Sequence, residues 1–151
     1  MVNLSQRDPR WASVKLGQSN VTVGRYGCTT TCISMLSDYF KSFIAPGVLA
    51  SSILKYLKDG RIIWQSVDNI PRMKFEKRMY GQNDAEIMIS LKDKKKAVIL
   101  EVNNNSHWVV ALRRSYWNKK DYIVLDPWTG KQCSALKTYH NITGSAHFIS
   151  K

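Results

Sequence analysis

The chain has 151 residues, 44% of them hydrophobic, with five Trp and seven Tyr. That is enough apolar material for the core of a single domain spanning 1–151, and it excludes a disordered chain. Lys plus Arg number 23 against 11 Asp plus Glu, a net charge of +12, which favours polyanionic surroundings such as nucleic acid, anionic lipid or an anionic wall.

The basic residues are dispersed, at Lys92 to Lys96, Arg113-Arg114 and Lys119-Lys120. No zinc-finger spacing or RNA-binding aromatic motif accompanies them. No apolar run approaches the roughly 20 residues that cross a bilayer, so no membrane span is expected. The first residues, Met1 to Trp11, are polar and lack the apolar core of a signal peptide, so a cytoplasmic or particle-associated location is expected. Three cysteines cannot all pair within the chain, which suits a reducing compartment and thiol chemistry.

Residues 1–25 read as an extended, turn-rich arm, broken at Asp8-Pro9 and Leu16-Gly17. Gln6 and Trp11 stand out in it, the latter as a packing anchor. A helix is predicted over 28–42, with Ile33, Met35, Leu36, Tyr39 and Phe40 at helical spacing. Pro46-Gly47 opens a second helix over 47–58, with Val48, Leu49, Ile53, Leu54 and Leu57 inward, and Asp59-Gly60 ends it. Residues 61–64 fit a short strand or a helix edge equally well. A strand is expected over 74–80. Asn83-Asp84 caps a third helix over 84–93, with Ile87, Met88 and Leu91 inward.

The last third changes character. Residues 97–102, 108–112 and 122–125 are β-branched, apolar runs separated by polar turns at 103–106 and 118–121. Pro127-Trp128-Thr129-Gly130 stops the third, and 147–149 forms a final strand. Helices followed by hairpin-connected strands define an α+β domain, with N-terminal helices packed on a C-terminal antiparallel sheet.

Three residues carry the chemistry. Cys28 stands at the N-terminus of the first helix, where free backbone N–H groups and the helix dipole lower a thiol pKa. His107 opens one strand and Asp126 closes the next. In an antiparallel hairpin the start of one strand faces the end of its neighbour, so the two side chains meet. Cys28 then serves as nucleophile, His107 as base and Asp126 as the carboxylate that orients it. The Cys28 N–H and the Gln6 side chain are the candidate donors to a developing oxyanion. Cys32, one turn further into the helix, competes with Cys28, and His140 and His147 compete with His107. A zinc site on Cys28, Cys32 and a histidine is a further reading, but it lacks an obvious fourth ligand.

The blocks Gln6-Arg7-Asp8-Pro9-Arg10-Trp11-Ala12, Tyr26-Gly27-Cys28-Thr29 with Met35-Leu36, His107-Trp108-Val109-Val110 and Asp126-Pro127-Trp128 with Gly130 resemble the peptidases related to the bacteriocin-processing (double-glycine leader) family, which are papain-like cysteine peptidases. The resemblance runs from about residue 4 to 130. It implies a papain-like fold with Cys28 as nucleophile, His107 as base, Asp126 as orienter and Gln6 in the oxyanion hole. No transporter segments accompany the domain, so leader processing during export is not expected. Similar stand-alone domains occur in bacteria and their phages, some joined to wall-directed or particle-borne proteins. The expected activity is hydrolysis of a peptide or isopeptide bond in a protein or cell-wall peptide, with no cofactor. The alternatives are an inactive papain-like domain that binds a polyanion or a protein partner, and a thiol acyltransferase.

Overall fold

The computed structural model describes residues 1–151. The N-terminal arm has one isolated bridge, Lys15 to Thr22, and Trp11 anchors it: the ring is buried and its Nε1–H donates to the Ser5 carbonyl at 2.8 Å. Helix α1 (Val23–Tyr26) and helix α2 (Cys28–Tyr39) follow, separated only by Gly27. Helix α2 is buried on several sides. Cys32, Ile33, Met35 and Leu36 are inaccessible, and so are Thr31, Ser34 and Ser37. These small hydroxyl residues let neighbours pack closely. The Ser34 and Ser37 hydroxyls satisfy themselves on the Ile44 and Ser34 carbonyls, each at 2.6 Å, as buried polar groups must.

The predicted helix over 47–58 is cut short. Helix α3 (Pro46–Val48) continues into one wide turn (Leu49–Ile53), and Leu54 is already extended at φ −83°, ψ 150°. Tertiary pairing overrides the helical periodicity there. The Lys55 N–H donates to Ser66 Oγ at 2.9 Å, the Ile63 N–H to the Lys55 carbonyl at 2.8 Å, and Tyr56 pairs with Ile62. Gly60, at φ +90°, makes the tight reversal between them. The ambiguous stretch 61–64 therefore supplies one bridge residue and then enters a 3-10 turn (Trp64–Asn69).

Strand β1 (Met73–Tyr80) precedes helix α4 (Asp84–Lys92), whose cap Asn83 accepts the Glu86 N–H as its sequence predicts. Strands β2 (Lys96–Val102), β3 (His107–Arg114), β4 (Tyr122–Asp126) and β5 (Lys131–Ser134) then form a meander. A short helix α5 (Ala135–Tyr139) leads into β6 (Ile142–Ser150). All pairings are antiparallel and the order is β1-β6-β2-β3-β4-β5.

The protein is thus α+β with a six-stranded antiparallel sheet. Two features depart from a simple split between helices and strands. The last strand runs through the middle of the sheet, between β1 and β2. Helices also cover both faces. Strand residues alternate between them: Ile99, Trp108, Val110, Leu125 and Phe148 share a core with α2, whereas Leu100, Val109, Tyr122 and Val124 share one with Ile87 of α4 and Ala135 of α5. No helix is long and apolar enough to cross a membrane.

Candidate active site

Helix α2 begins at Cys28 because Gly27 lets α1 come close. A Cβ on Gly27 would lie 2.5 Å from the Val23 carbonyl oxygen. No side chain caps α2, so its first N–H groups and the positive end of its dipole stay available beside the half-buried Cys28.

Helix α2 packs on the Trp108 and Val110 face of the sheet, and this carries Cys28 to the point where β3 starts. There the His107 imidazole faces the Cys28 thiol closely enough for each to shift the other's titration. His107 Nε2–H donates to Asp126 Oδ1 at 2.8 Å, which leaves Nδ1 as the ring nitrogen for the thiol. Asp126 is itself held in place. The Trp128 N–H donates to Oδ1 at 2.9 Å, and the Tyr139 hydroxyl donates to Oδ2. The Tyr139 ring also leans on His107, with centroids 5.0 Å apart. Asp126 is 2% exposed and His107 9%.

Burial by itself would push the Cys28 thiol up. The hydrogen bond and charge of His107, with the Trp108 N–H and the Thr29 hydroxyl, outweigh burial and hold it below the usual thiol range. Burial would lower His107, but hydrogen bonds to Asp126 and Cys28 raise it to about 9. Asp126 is lowered against its burial by His107, Tyr139 and the Trp128 N–H. All three shifts favour a thiolate–imidazolium pair backed by a carboxylate.

Cys32 is fully buried and donates to the Trp108 carbonyl at 3.4 Å. Burial first, then the nearby Cys28 and Asp126, push its thiol well above the ordinary value. No cluster of three or more His, Cys, Asp or Glu side chains is arranged to hold a metal. His140 is exposed at the end of α5. His147 is locked between Ser90 and Ser145 on a different part of the sheet.

Gln6 is 1% exposed. The arm that carries it is pinned to the turn after Asp126: the Gln6 N–H donates to the Pro127 carbonyl at 2.7 Å and Arg7 Nε to the Trp128 carbonyl at 2.9 Å. Its side-chain Nε2 donates to the Gly24 carbonyl at 3.2 Å, one turn before Cys28, and its Oε1 has no partner. One Nε2–H is therefore committed to α1 and one is left over.

Sequence reasoning missed Tyr139, Thr29 and the backbone donors of Trp108 and Trp128. Thr29 and Trp108 directly follow Cys28 and His107, so adjacency was an available signal. Tyr139 had none, since it arrives from a five-residue helix too short to show a period.

A groove of about 710 Å³ opens beside Thr29 and Trp108, walled by Tyr26, Tyr56, Trp64 and Tyr80. Arg78 and Glu101 pair in it at 2.9 Å, and the Arg78 guanidinium lies over the rings of Tyr80 and Trp108 at 4.2 and 4.8 Å. No protein-family model, curated protein or solved structure matches the chain.

Proposed function

We propose that the protein is a papain-like cysteine peptidase or amidase that cleaves a peptide or isopeptide bond. The observation that carries this reading is the Cys28–His107–Asp126 relay, in which a helix-terminal thiol held below its usual pKa meets an imidazole backed by a triply bonded carboxylate. The Cys28 thiolate attacks the carbonyl carbon. The resulting oxyanion takes hydrogen bonds from the Cys28 N–H and the uncommitted Nε2–H of Gln6. The His107 imidazolium gives its proton to the leaving amine as the C–N bond breaks, leaving a thioester on Cys28. Neutral His107 then takes a proton from water. The hydroxide displaces the thiolate, releases the carboxylic acid and restores the ion pair. Asp126 keeps the ring in the tautomer both steps need. The groove beside Thr29 and Trp108 supplies the space for the substrate chain.

Papain-like is an inference from architecture, in which a helix carrying cysteine at its N-terminus packs on an antiparallel sheet carrying histidine and aspartate. The substrate class is a protein or a cell-wall peptide. The test is mass spectrometry of linear and branched peptide pools after incubation with wild-type protein and with Cys28→Ser. New amine and carboxyl termini from the wild type alone support the reading. Incorporation of an added amine in place of water reassigns the site to acyl transfer. No turnover, together with an unreactive Cys28, overturns it.

A further inference from the structure

The β3–β4 hairpin ends in a tip at residues 115–121, at the opposite end of β3 from His107. Trp117 is 96% exposed and Tyr116 83% exposed. Single exposed aromatics are ordinary, but two adjacent ones at a projecting tip are not. The tip is a built turn. The Ser115 N–H donates to the Asp121 carbonyl at 2.9 Å, the Asp121 N–H to the Asn118 carbonyl at 3.0 Å, and the Lys120 N–H to Asn118 Oδ1 at 2.9 Å. Gln82 Nε2 braces it from outside by donating to the Lys120 carbonyl at 2.7 Å.

The charge of the tip is one-sided. Arg113, Lys119 and Lys120 are exposed, and the Arg113 guanidinium lies 4.4 Å from the Tyr116 ring centroid. The one acidic residue of the tip, Asp121, is 4% exposed. Its carboxylate is turned inward onto the Tyr122 and Leu136 N–H groups and the Ser134 hydroxyl.

We propose that this tip docks the protein on an anionic lipid bilayer. Trp and Tyr, each with an apolar body and a polar edge, settle at the headgroup level, and Lys and Arg beside them pair with anionic headgroups. The tip is convex, so its partner has to yield around it, as a bilayer does. Nucleic-acid strands are held instead in basic grooves lined by stacking aromatics, whereas these rings stand 83% and 96% exposed. The net +12 charge complements an anionic membrane over the rest of the surface. Seven residue steps along β3, roughly 24 Å, separate the tip from His107, so docking leaves Cys28 and its groove open.

The test is co-sedimentation of the full chain with neutral phosphatidylcholine vesicles and with vesicles containing about one third phosphatidylglycerol. The expected result is partition onto the anionic vesicles only, weakening with salt, and falling about tenfold in the double variant Tyr116→Ala, Trp117→Ala. Both residues are exposed, so the variant should keep the wild-type melting temperature. Absence of partition onto anionic vesicles at low salt overturns the proposal. So does equal partition of wild type and variant, which would assign the binding to diffuse charge. Tighter binding to a single-stranded oligonucleotide, lost in the same variant, also overturns it and assigns the tip to nucleic acid.

Discussion

Gly27 presses its bare Cα against Val23: a Cβ there would lie 2.5 Å from the Val23 carbonyl oxygen and 2.6 Å from its Cα. Both obstacles are backbone, so no rotamer change relieves them. Gly27→Ala must separate α1 from α2 and move Cys28 away from His107. The expected cost is about 1–3 kcal/mol in denaturant unfolding, with slower alkylation of Cys28 than in wild type. Unchanged stability and unchanged alkylation would show that the glycine is not what sets the start of α2.

Tyr139 ties α5 to the far oxygen of Asp126. His107 titrates at about 9, above the ordinary 6.5, so the imidazolium persists through neutral pH and is lost as pH rises through 9. The proposed hydrolysis needs that imidazolium to protonate the leaving amine. The rate should therefore fall above about pH 9, with its acid limb set by the lowered Cys28 thiol. Tyr139→Phe removes one donor from Asp126 and loosens its hold on His107. The prediction is a loss of about tenfold in kcat and an alkaline limb shifted toward lower pH, with little change in Tm. An unmoved alkaline limb in a pH–rate profile would restrict Tyr139 to packing.

His147 is fully buried, with the Ser90 hydroxyl 2.7 Å from Nδ1 and the Ser145 hydroxyl 2.8 Å from Nε2. Burial first, and then the charge of Lys77, push it down to about 4. Between the ordinary histidine value of about 6.5 and 4 the unfolded chain binds a proton that the folded chain refuses. Stability from this residue is therefore present above about 6.5 and lost as pH falls toward 4, amounting to about 3 kcal/mol. Urea unfolding at pH 7 and pH 4.5 should show that loss, and His147→Gln should flatten it. Equal pH slopes for the two proteins would contradict the assignment.

Local pattern was enough to read α2, α4 and the strands β2, β3 and β4, because periodicity and turn residues agreed there. The nearness of His107 and Asp126 was legible for the same reason: it follows from one hairpin. What the sequence hid was set by long-range packing. Residues 54–58 carry the helical spacing predicted for 47–58 but fold back through the bridge of Tyr56 to Ile62. The 142–150 segment inserts between β1 and β2, a placement no local signal encodes. Strand β5 and helix α5 are too short to show a period, so Tyr139 and its bond to Asp126 were invisible. The inward turn of the Asp121 carboxylate, which leaves the 115–121 tip purely basic, likewise depends on partners at 134 and 136.

The central claim is that Cys28 and His107 form an ion pair. The most direct measurement is the pH dependence of iodoacetamide alkylation at each cysteine, read by mass spectrometry, in wild type and His107→Ala. The account predicts that Cys28 alone reacts fast well below pH 8.5, the ordinary thiol value of about 8.5, that Cys32 and the burial-raised Cys133 lag behind, and that His107→Ala abolishes the difference. A Cys28 as slow as Cys133, or one indifferent to the loss of His107, would contradict it.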